Sequence, residues 1–344
     1  MPIARVVSEE RLKTVIGHLL RAVDVPPDHA ARAAYVLTTA ELRGISSHGV
    51  RLVPANIRRI LGGAIKARPD IKPVLQAGSL ETWDGDFGMG MVCGSLAMDR
   101  AIELAANLGT GWVMVRRSNH CAAVGAYAMM AVERGFVGIS MSNSSPMMAL
   151  EGSVSRTIGN NPMAIGAPGP EFPVVLDMAM SVASGARIGM MRRNGKAIPD
   201  EWFVAGGDPA GRRIMRPFGG PKGSGLAVMV EVITGVLAGG GMLSDQSPGS
   251  GFSKSIPDNC CHALIAVNLK ALMPEERYES AMRRLVRELK SGERAPGVEE
   301  VRLPGERAWR ETLKRRREGI PLEEETVQSL EEIAAEIGTA VPWE

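Results

Sequence analysis

Apolar residues recur at helical spacing through Leu12, Val15, Ile16, Leu19, Leu20 and Val23, which predicts an amphipathic helix near the start of the chain. Ser8 is placed to cap it, and Glu9 and Glu10 fill its first turn, where free backbone N–H groups favour negative charge. Val25-Pro26-Pro27-Asp28 breaks the pattern. A second helix is predicted from about Asp28 to Arg43, stopped by Gly44. A third runs through Ile57, Ile60 and Leu61 and stops at Gly62-Gly63. Residues 1–68 therefore read as a helical part.

The pattern changes near Pro69. Short apolar runs between turns predict strands at Ile71–Leu75, Glu81–Trp83, Gly111–Val115, Val137–Met141, Met163–Ile165, Val174–Leu176 and Cys261–Val267. Helices are predicted at Ser95–Asn107 and Ala126–Arg134. This alternation predicts an α/β body with a mixed sheet over residues 69–269. Within it, Met191–Met215 reads as an irregular excursion, Leu226–Leu237 as an apolar helix, and 239–255 as a Gly/Ser-rich loop. Residues 270–344 read as charged helices (Glu275–Leu289, Arg307–Arg317, Leu322–Ile337) with an extended piece at Val301–Leu303. They are expected to pack back on the helical part.

The bulk composition narrows the class. With 344 residues, 45% hydrophobic and 23% charged, the chain fits a globular protein of two domains, or one with a large insertion. A net charge of +2 with scattered basic residues gives no basis for nucleic-acid binding. No apolar run reaches membrane-spanning length, and no signal peptide is expected behind Met1. The four cysteines form no C-x-x-C pair, so neither a disulfide framework nor a metal site is expected. Reduced thiols fit a cytoplasmic setting.

The densest chemistry lies between the second and third helices, in Arg43-Gly44-Ile45-Ser46-Ser47-His48-Gly49-Val50-Arg51. A histidine there can exchange a proton near neutral pH, and an arginine can grip a carboxylate in a two-pronged way. A second loop histidine, His120, follows a predicted strand in Arg116-Arg117-Ser118-Asn119-His120-Cys121-Ala122. His18 and His29 lie on helices, and His262 opens an apolar strand, where a structural role is expected. Small polar turns at strand ends recur at Ser142-Asn143-Ser144, Asn160-Asn161-Pro162 and Asp177-Met178-Ala179. With the His120 turn they predict one rim of a sheet gathered around a ligand. Gly88-Met-Gly90 lacks the spacing of a dinucleotide fingerprint, and Gly219-Gly-Pro-Lys222-Gly223 lacks that of a P-loop. A lysine among glycines at a helix start can still hold a phosphate or carboxylate.

Several ordered segments together resemble the malate/L-lactate dehydrogenase family that lacks a Rossmann domain. They are Gly44-Ile-Ser-Ser-His-Gly-Val50, Asp84-Gly-Asp86, Ser118-Asn-His120, Gly159-Asn-Asn-Pro162, Leu176-Asp-Met-Ala179, Pro217-Phe-Gly-Gly220 with Lys222-Gly223, and Leu303-Pro-Gly-Glu306. The family includes ureidoglycolate, sulfolactate and hydroxycarboxylate dehydrogenases, diketogulonate reductase and piperideine-2-carboxylate reductase.

The resemblance implies a homodimer that transfers hydride between NAD or NADP and a small 2-hydroxy/2-oxo acid. The fold implied is a mixed-sheet α/β cofactor domain plus a mainly helical part built from both ends of the chain. His48 is then the expected acid/base, assisted by Ser47, with His120 as its rival in some relatives. The cofactor is expected against His120, Cys121, Ala122, Ser142, Asn143, Ser144, Asn160, Pro162, Asp177, Met178, Ala179, Lys222, Gly223, Pro304, Gly305 and Glu306.

The chain departs from the family pattern in places. Many relatives carry an arginine four residues after the loop histidine, where this chain has Leu52; Arg51 comes one residue earlier, and Arg43 is a second candidate for the substrate carboxylate. Asn56 stands where tyrosine is common, Ala122 where glycine is common and Pro221 where histidine is frequent. A cyclic imino acid reductase and a nucleotide-binding paralogue with weak catalysis are the alternative readings.

Overall fold

In the computed structural model, the described residues are 3–193, 195–207, 211, 213–246 and 253–344. The chain opens with strand β1 (Ile3–Val7), then helices α1 (Glu9–Arg21), α2 (Pro27–Leu42) and α3 (Val53–Leu61). Ser8 caps α1 as expected, its Oγ accepting from the Arg11 N–H at 3.1 Å. The predicted stripe on α1 is buried at Leu12, Val15, Ile16, Leu19 and Leu20, each worth about 1.5–3 kcal/mol of removal from water.

The body follows as β2 (Lys72–Ala77), β3 (Leu80–Asp84), α4 (Gly90–Leu108), β4 (Thr110–Ser118), α5 (Gly125–Val132), β5 (Phe136–Ser142), β6 (Met163–Ala167) and β7 (Val174–Met178). Next come α6 (Gly185–Arg193), α7 (Pro221–Glu231) and β8 (Cys260–Asn268). The chain ends with α8 (Glu275–Lys290), α9 (Glu306–Glu318), β9 (Ile320–Glu323) and α10 (Glu324–Glu336).

Seven strands form one mixed sheet in the order β2-β3-β4-β8-β5-β6-β7. β3 and β4 pair in parallel, and the other neighbours are antiparallel. One face is covered by α4 and α5, and α1, α2, α3 and α10 pack over these in a continuous core that runs from Leu12 through Met98 and Tyr127 to Leu330. The other face carries a second core in which Met141, Ala263 and Ile265 of the sheet meet Met148, Met180, Phe203, Met215, Ala227 and Val230. No helix among the described residues is long and apolar enough to cross a membrane.

Several elements differ from the pattern-based expectation. β1 and β9 were not expected; they pair with each other and join the two chain ends, with Val7 opposite Ile320. A lone run this short carries no periodicity that separates strand from helix, so β9 was absorbed into the helix predicted at Leu322–Ile337. Val301–Leu303 joins no strand. α7 starts at Pro221 instead of Leu226 and runs on as a π-helical turn through Val236. Among the glycines that obscure its first turn, Gly223 is required there, because a Cβ on it would lie 2.4 Å from the Phe218 carbonyl oxygen. α4 likewise starts earlier than predicted, at Gly90, where a Cβ would meet the Asn119 carbonyl oxygen at 2.1 Å. Residues 247–252 of the expected Gly/Ser-rich loop lie outside the described residues.

α4 approaches the sheet closely at Gly111 of β4, where an added Cβ would meet the Ala101 carbonyl oxygen at 2.1 Å and Leu104 Cβ at 2.7 Å. Gly111→Ala should push α4 off the sheet and destabilise the protein by about 1–3 kcal/mol, read as a shift of the urea unfolding midpoint at unchanged slope.

Candidate active site

β4 and β5 both run antiparallel to β8, so their C-terminal ends share one rim of the sheet. The register pairs Ser118 with Cys260, Ser142 with His262, Met141 with Met163, and Met163 with Met178. The polar turns Ser118–Ala122, Ser142–Ser144, Asn160–Pro162 and Asp177–Ala179 therefore gather along that rim. A register shift between Val115 and Ser118, with Arg117 at a φ of +52°, turns the end of β4 toward it. Arg117 is held there by Asp84 at 3.0 Å and lies over the Phe87 ring.

The rim loops are stitched together. Ser144 N–H donates to Asn161 Oδ1 (3.1 Å), and Ser144 Oγ lies 2.8 Å from Asn160 Oδ1. Met180 N–H donates to the Asn160 carbonyl (2.8 Å), and Phe218 N–H to the Met180 carbonyl (2.9 Å). This brings the first turn of α7 to the same end of the sheet. Lys222 in that turn is exposed and forms no ion pair among the described residues. An unpaired lysine on a helix N-terminus suits an anion such as a phosphate. Asn143 is committed differently: its amide donates to the Gly241 carbonyl and Glu231 and accepts from Cys261 N–H, so its side chain braces the rim from beneath.

The helical part brings His48 to this rim. Glu41 near the end of α2 is buried and accepts from Ser46 Oγ at 2.8 Å and Val50 N–H at 3.1 Å, so it clamps both ends of the His48 loop. Gly49 passes so close that a Cβ there would lie 2.1 Å from Glu41 Oε1. Arg315 of α9 adds an ion pair to Glu41 at 3.5 Å. Ser47 Oγ lies 2.9 Å from His48 Nδ1, which leaves Nε2 as the ring's other edge. The His48 and His120 rings stack with centroids 5.7 Å apart and planes at 29°.

Burial drives both histidines toward the neutral form. For His48 it acts with the nearby His120 and Arg51 to bring the pKa to about 4. For His120 it acts with Arg59, also to about 4. His262 is 2% exposed between Ser142 Oγ and Ser118 Oγ, each 2.9 Å from a ring nitrogen. Ser142 Oγ also donates to the Asn143 carbonyl (2.9 Å) and Ser118 Oγ to the Asn119 carbonyl (3.5 Å), so each serine bridges the ring to the adjoining backbone. Burial, reinforced by His120, holds His262 neutral with a pKa of about 4. It is structural, as expected, and it ties two rim strands together.

The two candidate arginines separate. Arg51 is exposed in the turn after His48, and its charge acts on that ring. Arg43 is enclosed at the end of α2. It is 4% exposed, its Nε has no partner, and the opposite charge acting most strongly on it is Asp177. Leu52 packs against the helical core, and Asn56 is buried with its amide on the Leu52 carbonyl at 2.8 Å. Asp177 sits against the start of α5, where a Cβ on Gly125 would lie 2.2 Å from Asp177 Oδ2.

The last expected segment lies along the edge strand instead of the rim loops: the Pro304 carbonyl accepts from Val175 N–H at 3.1 Å. Gly305, at a φ of +84°, lies so close that a Cβ would meet the Val175 backbone at 2.9 Å. Glu306 is buried and bound to Lys290 and Arg310, each at 2.5 Å. Cys121 is buried, and Ala122 holds the left-handed conformation that glycine adopts without strain, with a φ of +60°.

Comparison with known proteins now decides the family. A family model described as malate/L-lactate dehydrogenase matches residues 7–331. The chain belongs to the malate/L-lactate dehydrogenase family. It is 35% identical to a malate dehydrogenase of Pyrococcus abyssi, over 96% of this chain and 95% of that protein. It is 33% identical to an L-sulfolactate dehydrogenase of Methanocaldococcus jannaschii, over 97% of each. The solved malate dehydrogenase of Pyrococcus horikoshii OT3 superposes with a TM-score of 0.88 at 30% identity, covering 99% of each chain. The protein is thus an NAD(P)-dependent oxidoreductase of small 2-hydroxy/2-oxo acids.

Sequence reasoning overlooked Glu41, Arg59, Glu231 and Asp258. Arg59 is 1% exposed and donates to Asp258 Oδ2 at 2.6 Å and to Asn119 Oδ1 at 3.0 Å. For Glu41, Arg59 and Glu231 the one signal is a charge at a helical position the apolar stripe should occupy, and Asp258, in the loop before β8, carries none. Arg59→Met alone should strand the buried Asp258 charge and destabilise the protein by about 3–5 kcal/mol, seen in chemical unfolding. The histidines predict a second effect. Their folded pKa values lie below the ordinary 6.5, so between 6.5 and about 4 the unfolded chain binds more protons. Stability should be full above pH 6.5 and fall as pH drops through that window, by about 3 kcal/mol for His262 alone. His262→Gln should flatten part of the slope in a pH series of unfolding midpoints.

Proposed function

We propose that His48 is the proton acceptor and donor in a reversible oxidation of a malate- or lactate-like 2-hydroxy acid. The observation that carries this reading is His48 at the sheet rim, with Nδ1 engaged by Ser47 and with Arg51, exposed and in no ion pair among the described residues, in the next turn. A base must be unprotonated to act, and burial keeps His48 so at neutral pH. In the oxidising direction Nε2 takes the hydroxyl proton, and Ser47 holds the ring in the tautomer that leaves Nε2 free. Arg51 pairs with the substrate carboxylate, and that carboxylate in turn favours the imidazolium that forms. In the reducing direction His48 returns the proton to the forming alkoxide. His120 packs against His48 and keeps the reacting edge dry.

The rim fits a dinucleotide through its unpaired Lys222 on a helix N-terminus and its row of small polar turns. NAD or NADP, when bound, supplies the hydride acceptor. Lys222 with Gly223 would meet its phosphates, and Ser142–Ser144, Asp177–Ala179 and His120–Ala122 would line its length. The substrates that name the relatives, malate and L-sulfolactate, are 2-hydroxy acids and support the same reading. We also infer a homodimer in the cytoplasm. Leu226, Met229, Val236 and Leu237 leave an exposed apolar stripe along α7 and its π turn, and four free thiols suit a reducing compartment.

The test is NAD(P)H formation and consumption with a panel of 2-hydroxy acids, 2-oxo acids and a cyclic imino acid, for the wild type and His48→Ala. His48→Ala should lose about 10²–10⁴-fold in kcat while keeping its fold by circular dichroism; near-normal turnover would refute the role. Turnover on the imino acid alone would reassign the substrate. For 2-hydroxy acid oxidation, kcat/KM should stay level down to about pH 5, because the free-enzyme base titrates at about 4. A break near 6.5 would show an unburied base.

A further inference from the structure

Arg59 is a guanidinium with almost no access to water, and all three of its nitrogens are engaged. Nη1 donates to Asp258 Oδ2 (2.6 Å), Nη2 to Asn119 Oδ1 (3.0 Å) and Nε to the Ser253 carbonyl (3.1 Å). The acceptors close the circuit on the reacting loop. Asp258 Oδ2 also accepts from the backbone N–H of His120 (3.0 Å), and Asn119 Oδ1 from the backbone N–H of Asp258 (2.9 Å). The Asn119 amide donates to the carbonyls of Phe87 (2.8 Å) and Gly88 (3.0 Å), which anchors the circuit to the start of α4.

Three separate pieces of chain meet in this circuit. Arg59 lies on α3, the rigid helix that continues from the His48 loop. Asn119 and His120 leave β4. Asp258 enters β8. Resting on the assignment of His48 as the acid/base with His120 packed against its ring, we propose that the buried Arg59–Asp258 pair is a positioning device that fixes His120 against His48 across the junction of the helical part and the sheet.

Stability alone does not call for charges there. A buried ion pair recovers its desolvation cost with difficulty, and an apolar pair of equal volume commonly stabilises as well. Here the cost is higher still, because Asp258 Oδ1 is buried without a hydrogen-bond partner among the described residues. A planar fork instead offers fixed directions to three acceptors at once, which neither lysine nor an apolar residue can copy. The charge also acts on the ring it places. His120 is faced by His48 from the loop after α2, by Arg59 from α3, by Asp258 at its own backbone and by His262 from β8, and Arg59 is the cation that helps keep it neutral.

The test uses the full-length enzyme and two variants. Arg59→Lys keeps the charge and loses the fork. Arg59→Met with Asp258→Asn removes both charges together, which avoids stranding either. Imidazole signals of ¹³C-labelled histidine are followed beside kinetics, with His18 on α1 and His29 on α2, outside the circuit, as internal controls. In both variants kcat should fall about 10–100-fold, the scale of a misplaced reacting group. KM for cofactor and substrate should stay within about threefold, and the His120 and His48 signals should move while those of His18 and His29 hold.

Wild-type kcat in folded variants would overturn the proposal. So would a parallel loss of kcat, KM and melting temperature with all five histidine signals displaced, because that marks general loosening. Failure of both variants to fold would make the pair a folding element and overturn the positioning role. Absence of turnover in the wild type would instead sink the reaction assignment, and the histidine signals would still report on the tie.

Discussion

Strand β8 lies between β4 and β5 and is paired with both along nearly its whole length. It arrives late in the chain, after the long excursion beyond β7, and its residues from Cys260 to Ala266 are buried. Antiparallel pairing on both sides makes β4 and β5 point the same way. That common direction puts their polar ends, and those of β6 and β7, on one rim. His262 reinforces the arrangement at the rim itself, joined on one side to Ser118 and on the other to Ser142. Without β8, two halves of the sheet would carry two unrelated sets of loops.

The second constraint is the approach of the helical part. Its core is continuous with the layer of α4 and α5, and β1 with β9 closes the two chain ends on each other. The His48 loop is therefore presented to the rim by packing, and then adjusted by buried charges. Glu41 holds the loop from behind, and Arg59 holds His120 from the side. Each is a charged group in an apolar position, with hydrogen bonds that spend its charge on backbone and loop atoms. Such groups contribute less to stability than to geometry. Proton transfer needs that geometry, because a small displacement of the acceptor costs far more rate than stability.

Neutral histidines follow from the same burial. The site excludes water enough to favour uncharged imidazole, and two cations, Arg51 and Arg59, act in the same direction on the two rings. The arrangement is poised for an anionic substrate. Bringing in a carboxylate supplies the negative charge that an imidazolium needs, so proton transfer and substrate binding support each other.

Local pattern determined much of the architecture, and the ordered motifs that resemble the family pointed to the reaction chemistry. Helical spacing marked α1, α2 and α3, the continuous apolar run marked β8, and a histidine between a serine and an arginine marked His48. These are local signals, carried by neighbours in the chain. Tertiary structure decided the rest. Two short strands at opposite ends become β1 and β9 only because they find each other. Arg43 and Arg51 look equivalent in the sequence, yet one is enclosed near Asp177 and the other stays exposed beside His48. Arg59 and Asp258 stand 199 residues apart, so no pattern along the chain reveals the ion pair that joins them. Burial and long-range pairing depend on which surfaces meet, and only the folded molecule holds that information.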